Sequence, residues 1–527
     1  MNHNYLFFLT CLCILLTLPL AAQEEPFPWP QDELGEVMVI EPGDPGTINA
    51  TISGDTMDDG SRVHNVYMLR RGATYLYTSR INNVGYPLMV IAEEGDGPLP
   101  LIKALGPPAG ETEAPRAFHA QGDLYLKDLR INGYDQTDSP TDNATVRLAA
   151  DSVRVVLRGI LFEFNRQNAI RINGSDCEVY VENSVIGPQG NSFNIFNGIP
   201  LNFRGNFTPM VHFRNTSFFS LSRGLMENFG AARYGTLIIE HCTMVNSGVD
   251  GAEFGRPDSL IFTDNLIINT GILGDGFDGD RSEFIQPLFA FTLDSNNVAT
   301  DTVIVGTDTT INFENVEPYV EFERNHFYNK PIIAQTIPDS SRAYMADSLF
   351  FDEELSEDID EEDGNVVAQQ DFEFTNFDMP DEQFTAFIND YYQLVLDQAE
   401  IPGFDNDITE IDLTYSPDHP AATAARNGQP VGDLTWWGLN IVGTTYRFQN
   451  LEVNIFPNPT TDRIRVELEN LQSVLVYDLA GKLLQITNDF GGQNTAVVNV
   501  ADLSAGTYFV VALTTDRRGV TRKIVKQ

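Results

Sequence analysis

Residues 211–219 read VHFRNTSFF, a nine-residue pattern that recurs along the middle of the chain. Each copy has an apolar, a variable, an apolar and a polar residue, then a turn-forming residue and a second apolar stretch. The other copies are LYLKDLRIN at residue 124, VVLRGILFE at 155, VYVENSVIG at 179, LIIEHCTMV at 237, LIFTDNLII at 260 and VEFERNHFY at 320. Consecutive starts lie 31, 24, 32, 26, 23 and 60 residues apart. A repeat of this length with strand periodicity predicts a solenoid of stacked β-strands.

The fifth position of the pattern predicts a tight corner between two strands. Most residues there are of types that tolerate the left-handed backbone conformation, which a one-residue corner requires. They are Asp128, Gly159, Asn183, Asn215, His241, Asp264 and Arg324. A further short strand precedes some copies, at residues 168–172, 224–227 and 251–254. Three strands and three turns in each coil predict a right-handed parallel β-helix with coils stacked ~4.8 Å apart.

The pattern resembles the coils of the pectate-lyase-like superfamily over roughly residues 60–330. A leucine-rich repeat is the main alternative, but its asparagine-centred consensus and following helix are absent from the sequence. The predicted fold is all-β: a right-handed parallel β-helix with a short helical cap, followed by a small immunoglobulin-like β-sandwich. The predicted segments are an N-terminal cap and first coil at 23–110, the β-helix core at 111–330 with an insertion at 270–315, and a C-terminal capping region at 331–450.

The N terminus and the composition predict an exported protein. An apolar run from Leu6 to Leu20, followed by small residues, predicts a signal peptide over residues 1–22, and no other stretch is apolar enough to span a bilayer. Removal of that peptide leaves two cysteines, too few for a disulfide scaffold, and we interpret Cys242 as a small buried hydrophobic residue. A formal net charge of −43 excludes nucleic acid as a natural partner. We expect a monomer.

Two stretches outside the repeat have predicted structure. Residues 47–52 read as one strand in an otherwise irregular lead-in, and residues 66–94 read as the first full coil. Residues 381–398 read as a helix whose apolar stripe covers the open C-terminal end of the stack. The stripe consists of Phe384, Phe387, Ile388, Tyr391, Leu394 and Val395.

From residue 451 the sequence pattern becomes that of a compact all-β domain. Its markers are VNIFPNP at residue 453, VLVYDLAGK at 474, LSAGTY at 503 and the terminal RKIVKQ. In order and spacing they resemble the type A C-terminal sorting domain of the Bacteroidota type IX secretion system, over residues 451–527. The residues that carry the resemblance are Pro457, Asn458, Pro459, Gly481, Gly506, Tyr508, Lys523 and Lys526. It implies Sec-dependent export through the periplasm, the secretion machinery as a partner, and release or attachment at the outer cell surface.

Residues that could carry chemistry depart from the repeat. Arg171, Glu227 and Glu253 lie at comparable outward positions of the third strands, where an arginine and acids could bind a cation and remove a sugar proton. A surface ladder of charges is the alternative interpretation. Four acids in the insertion have oxygen-ligand spacing reminiscent of a calcium loop, so Ca²⁺ is the one cofactor that the sequence suggests. They are Asp275, Asp278, Asp280 and Glu283.

Trp436 and Trp437 lie in a segment, residues 416–438, that resembles the stretch closing many surface β-helix proteins of Bacteroidota. They could form a sugar platform, although burial against the last coil is the simpler interpretation. Two functions therefore stay open. One is a secreted or surface protein that binds extracellular glycan or acts as a scaffold, and the other is a pectate-lyase-like polysaccharide lyase, or other carbohydrate-active enzyme, acting on acidic glycans.

Overall fold

The computed structural model describes most of the chain between residue 28 and the C terminus. The described residues are 28–30, 34–111, 113–141, 144–190, 197–229, 233–249, 251, 256–273, 292–293, 299–300, 302–305, 309–312, 319–337, 363–367, 370–393, 395, 400–439, 453–477, 483–501, 503–514 and 519–527. The predicted signal peptide lies outside them. The chain divides into two compact units, one formed by residues 27–440 and one that includes residues 441–527.

The larger unit is built from three rows of parallel strands that the chain visits in turn. The first row contains Val37–Ile40, Val66–Leu69, Leu88–Ala92, Leu124–Lys127, Arg154–Arg158, Arg233–Glu240, Arg256–Thr263 and Tyr319–Glu323. The second contains Thr74–Tyr77, Leu101–Ala104, Arg130–Asp135, Leu161–Glu163, Thr243–Ser247, Leu266–Ile268, His326–Tyr328 and Val366–Val367. Glu178–Ile186 and Phe207–Leu221 run through both rows. The third contains Ile81–Asn82, Phe118–Ala120, Ala144–Leu148, Asn168–Ile172, Ile199–Arg204 and Met226–Phe229. The architecture is mainly β, with long all-parallel sheets of β-helix-like form.

The predicted corners are confirmed at every copy of the repeat. All seven fifth-position residues have positive φ, from 46° at Asn215 and His241 to 65° at Gly159. Gly364, with φ 77°, forms a further corner that the sequence reading missed, and Val366–Val367 pairs with His326–Tyr328 beyond it. The stack therefore continues past residue 330, where the predicted β-helix core ends.

A ladder of buried asparagines follows three of these corners. The amide N–H of Asn265 and its side-chain Nδ2 both donate to Asn325 Oδ1 at 3.0 Å. The same two groups of Asn325 donate to Asn365 Oδ1, again at 3.0 Å. Each rung thus satisfies the backbone and side-chain donors of the rung before it, which fixes the register of neighbouring coils.

Apolar side chains from all three rows fill the interior, including Leu126, Val155 and Phe203. Cys242 is buried and unpaired, as expected. Outward residues of the first row, including Tyr125 and Val156, are covered by Trp29, whose ring lies edge-on to that of Tyr125 at 5.9 Å.

The strand predicted at residues 47–52 is wrong, because this segment is helix α1, Thr47–Gly54. Its β-branched residues suggested a strand, but Ile48 and Ile52 lie four residues apart on one helical face and are both buried. The observed strand of the lead-in is Val37–Ile40, which pairs with Val66–Leu69.

Two further α-helices lie in the described residues: α2, Pro331–Thr336, and α3, Asp381–Tyr392. Helix α3 begins where predicted but ends at Tyr392 instead of residue 398. Its stripe residues Phe384, Phe387, Ile388 and Tyr391 are buried, whereas Val395 lies beyond the helix and Leu394 falls outside the described residues. They pack with outward residues of the second row such as Phe219 and Val245, so the stripe covers the flank of the stack and not its end as predicted. Short 3-10 helices at Pro420–Thr423, Arg426–Gly428 and Leu434–Trp437 continue this covering layer.

Three antiparallel pairings complete this unit. They are Thr292–Leu293 with Ala299–Thr300, Thr302–Val305 with Thr309–Asn312, and Phe374–Asn376 with Asp412–Tyr415.

The C-terminal unit holds one five-stranded antiparallel sheet. Its strands are Asn454–Phe456, Arg463–Tyr477, Leu483–Asn499, Gly506–Thr514 and Gly519–Lys526. Val466, Val474, Val498 and Val510 are among the side chains that form its separate core.

Candidate functional site

Outward residues of the third row stand side by side in register across five strands. His119 pairs with Arg147, Arg147 with Arg171, Arg171 with Asn202, and Asn202 with Glu227. We call these five residues the polar row. Neighbouring strands lie ~4.8 Å apart, so consecutive members are close enough for one extended ligand to contact several of them. The register brings together two of the predicted site residues, Arg171 and Glu227.

Arg171 is a buried cation that bonds to neutral groups. It is 6% exposed, its Nε donates to Asn168 Oδ1 at 2.9 Å and its Nη2 donates to Gln167 Oε1 at 2.8 Å. Within the described part of the chain, no carboxylate hydrogen-bonds to this guanidinium. Buried charges in proteins are normally paired, so an unpaired one marks a place where an anion would be stabilised.

Further arginines surround Arg171. Burial first, and then the positive charges of Arg204, Arg147 and Arg116, lower the pKa of Arg171 to about 10. Arg147 lies directly beside it, is half-buried and donates from Nε to Asn173 Oδ1 at 2.6 Å. Like charges at neighbouring strand positions destabilise a sheet, and a bound anion relieves that repulsion.

The other end of the row is charge-balanced and offers acceptors. Glu227 Oε1 accepts from Arg223 Nη1 at 2.6 Å, and Glu227 Oε2 accepts from Asn202 Nδ2. Asn202 is fully buried, and its Oδ1 receives no hydrogen bond in the described chain. The row thus changes from cationic at Arg147 and Arg171 to acceptor-rich at Asn202 and Glu227.

Three arginines of this site were not predicted from the sequence: Arg147, Arg116 and Arg204. The third strand was predicted at residues 168–172 but not at Phe118–Ala120, Ala144–Leu148 or Ile199–Arg204. Aligning an apolar–polar–apolar triplet ahead of every copy of the repeat would have found Val146-Arg147-Leu148 beside Ile170-Arg171-Ile172.

The other acids that the sequence predicts as site residues are not among those that the structure describes. Glu253, Asp275, Asp278, Asp280 and Glu283 all fall outside the described residues, so the calcium loop stays a prediction. Among the residues that the structure describes, no group of three or more His, Cys, Asp or Glu could hold a metal ion.

Trp436 and Trp437 are half-buried and pack against the covering layer of the second row. The indole N–H of Trp436 donates to Ser217 Oγ at 2.8 Å, and the ring of Trp437 lies edge-on to Tyr415 at 5.0 Å. The Ser217 hydroxyl donates in turn to Asp433 at 2.7 Å. These contacts hold residues 433–437 against the stack. They also occupy the indole N–H of Trp436, the hydrogen-bond donor that a sugar-binding platform would offer to its ligand.

The marker residues of the C-terminal unit have structural roles. Asn458 Nδ2 donates to the carbonyl of Lys523 at 2.9 Å and its Oδ1 accepts from the amide of Val525 at 2.9 Å, so one side chain caps the edge of the last strand. The peptide bonds before Pro457 and Pro459 are cis. Tyr508 OH donates to the carbonyl of Ser504 at 2.7 Å, and Gly506 pairs with Lys526. Gly481 lies outside the described residues.

Residues 454–527 match a protein family, the secretion system C-terminal sorting domain. The chain thus carries a sorting domain of the type IX secretion system, which interacts with that machinery, and the protein is secreted or held at the cell surface. No curated protein matches this chain. In the described residues, no helix is both long enough and apolar enough to cross a membrane.

Proposed function

We propose that this exported protein binds an extracellular glycan through the polar row of its third strand row, at an anionic group of that glycan. The observation that carries the proposal is Arg171, a buried guanidinium that bonds to two neutral amides and lies among other arginines. A carboxylate or sulfate on a sugar supplies the missing counter-charge, and the planar guanidinium suits such groups.

The surroundings of the row support an elongated ligand. The row extends over five strands, and at its start Asn82 pairs with His119 and lines a surface depression of about 520 Å³. Arg147 and Glu227 are half-buried, which leaves the recessed row open to solvent at those positions. Secretion or display at the cell surface gives the protein access to extracellular polysaccharides, which supports a glycan ligand. The net charge of −43 repels polyanions at long range, but screening confines that effect to about 10 Å at ordinary ionic strength.

Titration calorimetry with the mature chain tests this function. The probes are a tetragalacturonate, a chondroitin tetrasaccharide and neutral maltotetraose. We expect at least one anionic probe to bind, the neutral probe not to bind, and Arg171→Gln to weaken binding by about tenfold or more. The matched control is Arg154→Gln, which removes the same charge from the first row, where Arg154 pairs with Glu178. Absence of binding by both anionic probes would refute the proposal.

A second candidate function is lyase activity on a uronate glycan, favoured by the register that places Arg171 and Glu227 in one row. There Arg171 would hold the uronate carboxylate and Glu227 would remove the C5 proton, as the C4–oxygen bond breaks and the leaving oxygen takes up a proton. Incubation with polyuronates, followed by ultraviolet detection of the unsaturated sugar, separates the two functions. Product that is lost in Arg171→Gln would establish the lyase, and binding without product would exclude it.

A further inference from the structure

The C-terminal unit presents an exposed sheet face opposite its core. Phe456, Arg465 and Val497 stand side by side in register on three neighbouring strands. They point away from the core, because the residues that alternate with them along the strands, such as Val466 and Val498, are buried in it. Phe456 is 43% exposed and Val497 is 57% exposed, although both are large apolar residues. Exposed apolar side chains that lie together mark interaction sites, unlike scattered ones.

A surface depression continues this face. Arg463 and Asn499 lie two residues before Arg465 and after Val497, so they share the face, and they pair with each other in register. Both are exposed and line a depression of about 560 Å³. Its other lining residues are Pro457, Thr460, Thr461, Asp462 and Ala501. We call the exposed triplet and this depression the Phe456 face.

The polar contacts within the Phe456 face are weak. Arg465 Nε lies 2.9 Å from Glu467 Oε1, and the Arg465 guanidinium lies 5.9 Å from the centre of the Phe456 ring. The Arg465 side chain is half exposed, and exposed ion pairs add little to stability. These contacts order the face without burying its charged groups, so a partner can still reach them.

Charge separates the sorting domain from the rest of the chain. Residues 454–527 contain eight Lys and Arg and seven Asp and Glu, a net charge of +1. The total of −43 therefore leaves −44 on residues 1–453. A basic partner surface would bind those acidic residues without specificity, whereas an acidic one repels them and accepts Arg463 and Arg465. Screening confines that repulsion to about 10 Å, so it does not prevent the sorting domain from binding.

We propose that the secretion machinery recognises the chain at the Phe456 face, through a surface that is apolar at its centre and acidic at its rim. The family match places sorting within residues 454–527, and the Phe456 face combines exposed apolar area with a concavity there. The apolar centre covers Phe456 and Val497, and rim carboxylates pair with Arg463 and Arg465, the usual division of a protein interface. The proposal is independent of glycan binding by the larger unit.

Export of full-length variants from the producing bacterium tests the apolar part of the face. Immunoblotting gives the ratio of external to periplasmic protein. Phe456→Ser should lower that ratio about tenfold, and Val497→Thr about threefold. The matched control is Leu484→Ser, which removes an exposed apolar side chain of the same unit outside the face and should leave the ratio unchanged. Unchanged export of Phe456→Ser, or an equal loss in Leu484→Ser, would overturn the proposal.

Charge reversal tests the acidic rim. Arg465→Gln removes a positive charge and should lower the ratio about threefold, whereas Arg465→Glu reverses it and should lower the ratio about tenfold or more. Equal export of these two variants would overturn the acidic partner surface. Thermal unfolding of the purified full-length chains identifies any variant that fails to fold. Val497→Thr keeps a β-branched side chain at an exposed strand position, so its result decides the question even where Phe456→Ser does not fold.

Competition separates recognition from later steps of export. Overproduced wild-type chain should reduce the export of a second sorting-domain protein in the same cell, because both occupy the machinery. Overproduced Phe456→Ser should not reduce it. Competition by this variant as strong as that of the wild-type chain would show that it is still recognised, and would overturn the proposal.

Discussion

Arg147 and Arg171 occupy the same register position on adjacent strands, so two cationic side chains lie beside each other on the outer side of the third row. A contrasting ladder lies on the first row, where Arg158, Glu182 and Arg214 alternate in charge and pair with one another. The charged side chains of the first row pair with one another. On the third row, Arg171 has no hydrogen-bonded carboxylate among the described residues. That contrast leads to the first prediction.

Replacing Arg214 by Gln should cost much more stability than replacing Arg171 by Gln. Arg214 is buried and hydrogen-bonds to Glu182, so Arg214→Gln leaves a buried carboxylate short of a partner and should cost about 3 kcal/mol. Arg171→Gln removes an unpaired buried cation and should change the free energy of unfolding by less than about 1 kcal/mol. Urea denaturation of both variants measures this. A cost for Arg171→Gln equal to that of Arg214→Gln would mean that Arg171 is a structural residue.

His326 should govern part of the acid sensitivity of the fold. It is buried, neither ring nitrogen has a partner in the described chain, and burial, with a smaller effect of His419, lowers its pKa to about 4. The folded-state pKa is below the unfolded one, so its contribution is complete above pH ~6.5 and is lost as pH falls toward 4. His326→Gln should therefore reduce the stability lost between pH 7 and 4.5 by about 2–3 kcal/mol. Denaturation at both pH values measures the difference, and an unchanged difference would contradict the assignment.

The asparagine ladder should be most sensitive at its middle rung. Asn325 Oδ1 accepts two hydrogen bonds from Asn265, and its Nδ2 donates to the carbonyl of Phe262 at 2.8 Å. Asn325→Ala should cost about 3 kcal/mol, because several buried groups lose partners at once. Asn365→Ala removes one hydrogen bond fewer, because Asn365 Oδ1 accepts two from Asn325 and its Nδ2 donates to the carbonyl of Phe322 at 2.7 Å, and it should cost about 2 kcal/mol. Amide hydrogen exchange across residues 326–328 reports the local loss, and a change of less than about 1 kcal/mol in both variants would show that the ladder does not link the coils.

The left-handed corner at Asn183 predicts an order of tolerance. Asn183 has φ 50° and an exposed side chain, so its backbone conformation dominates the effect of a substitution there. Asn183→Gly should be close to neutral, Asn183→Ala should cost about 1 kcal/mol, and Asn183→Val should cost more because β-branching disfavours positive φ. Thermal unfolding of the three variants gives the order. A valine variant as stable as the glycine variant would contradict the corner assignment.

Export should depend on the C-terminal unit. Deletion of residues 451–527 should leave the protein inside the outer membrane, because the sorting domain at 454–527 is gone. Immunoblotting of periplasmic and external fractions measures the result, with the full-length chain as the control. Appearance of the truncated protein outside the cell would contradict the assignment.

The parts of the fold that repeat were predictable from sequence. Two strand rows were predictable from the alternation at positions one and three of the repeat. The seven corners were predictable from the turn-forming residues at position five, including Arg324, whose residue type alone would not suggest positive φ. The corner at Gly364 was missed because it follows an acidic run and only two apolar residues come after it. Helix α1 was missed because isoleucines four apart are also compatible with strand alternation.

The candidate site was only partly predictable, because it depends on register. Arg171 and Glu227 were identifiable as outward residues. The sequence did not show that a single strand separates theirs, because that strand, which carries Asn202, lies outside the recognised repeat. Three arginines that surround Arg171 are far apart in sequence, at positions 116, 147 and 204. Their convergence follows from the stacking of coils of unequal length, and no local pattern contains that information.

The central claim is that an anionic sugar binds at Arg147 and Arg171, and a crystal structure of the mature chain with the chondroitin tetrasaccharide tests it most directly. We predict a carboxylate or sulfate oxygen within about 3 Å of a guanidinium nitrogen of Arg171 or Arg147. A tetrasaccharide that lies on another surface, or that turns its anionic groups away from both arginines, would contradict the account.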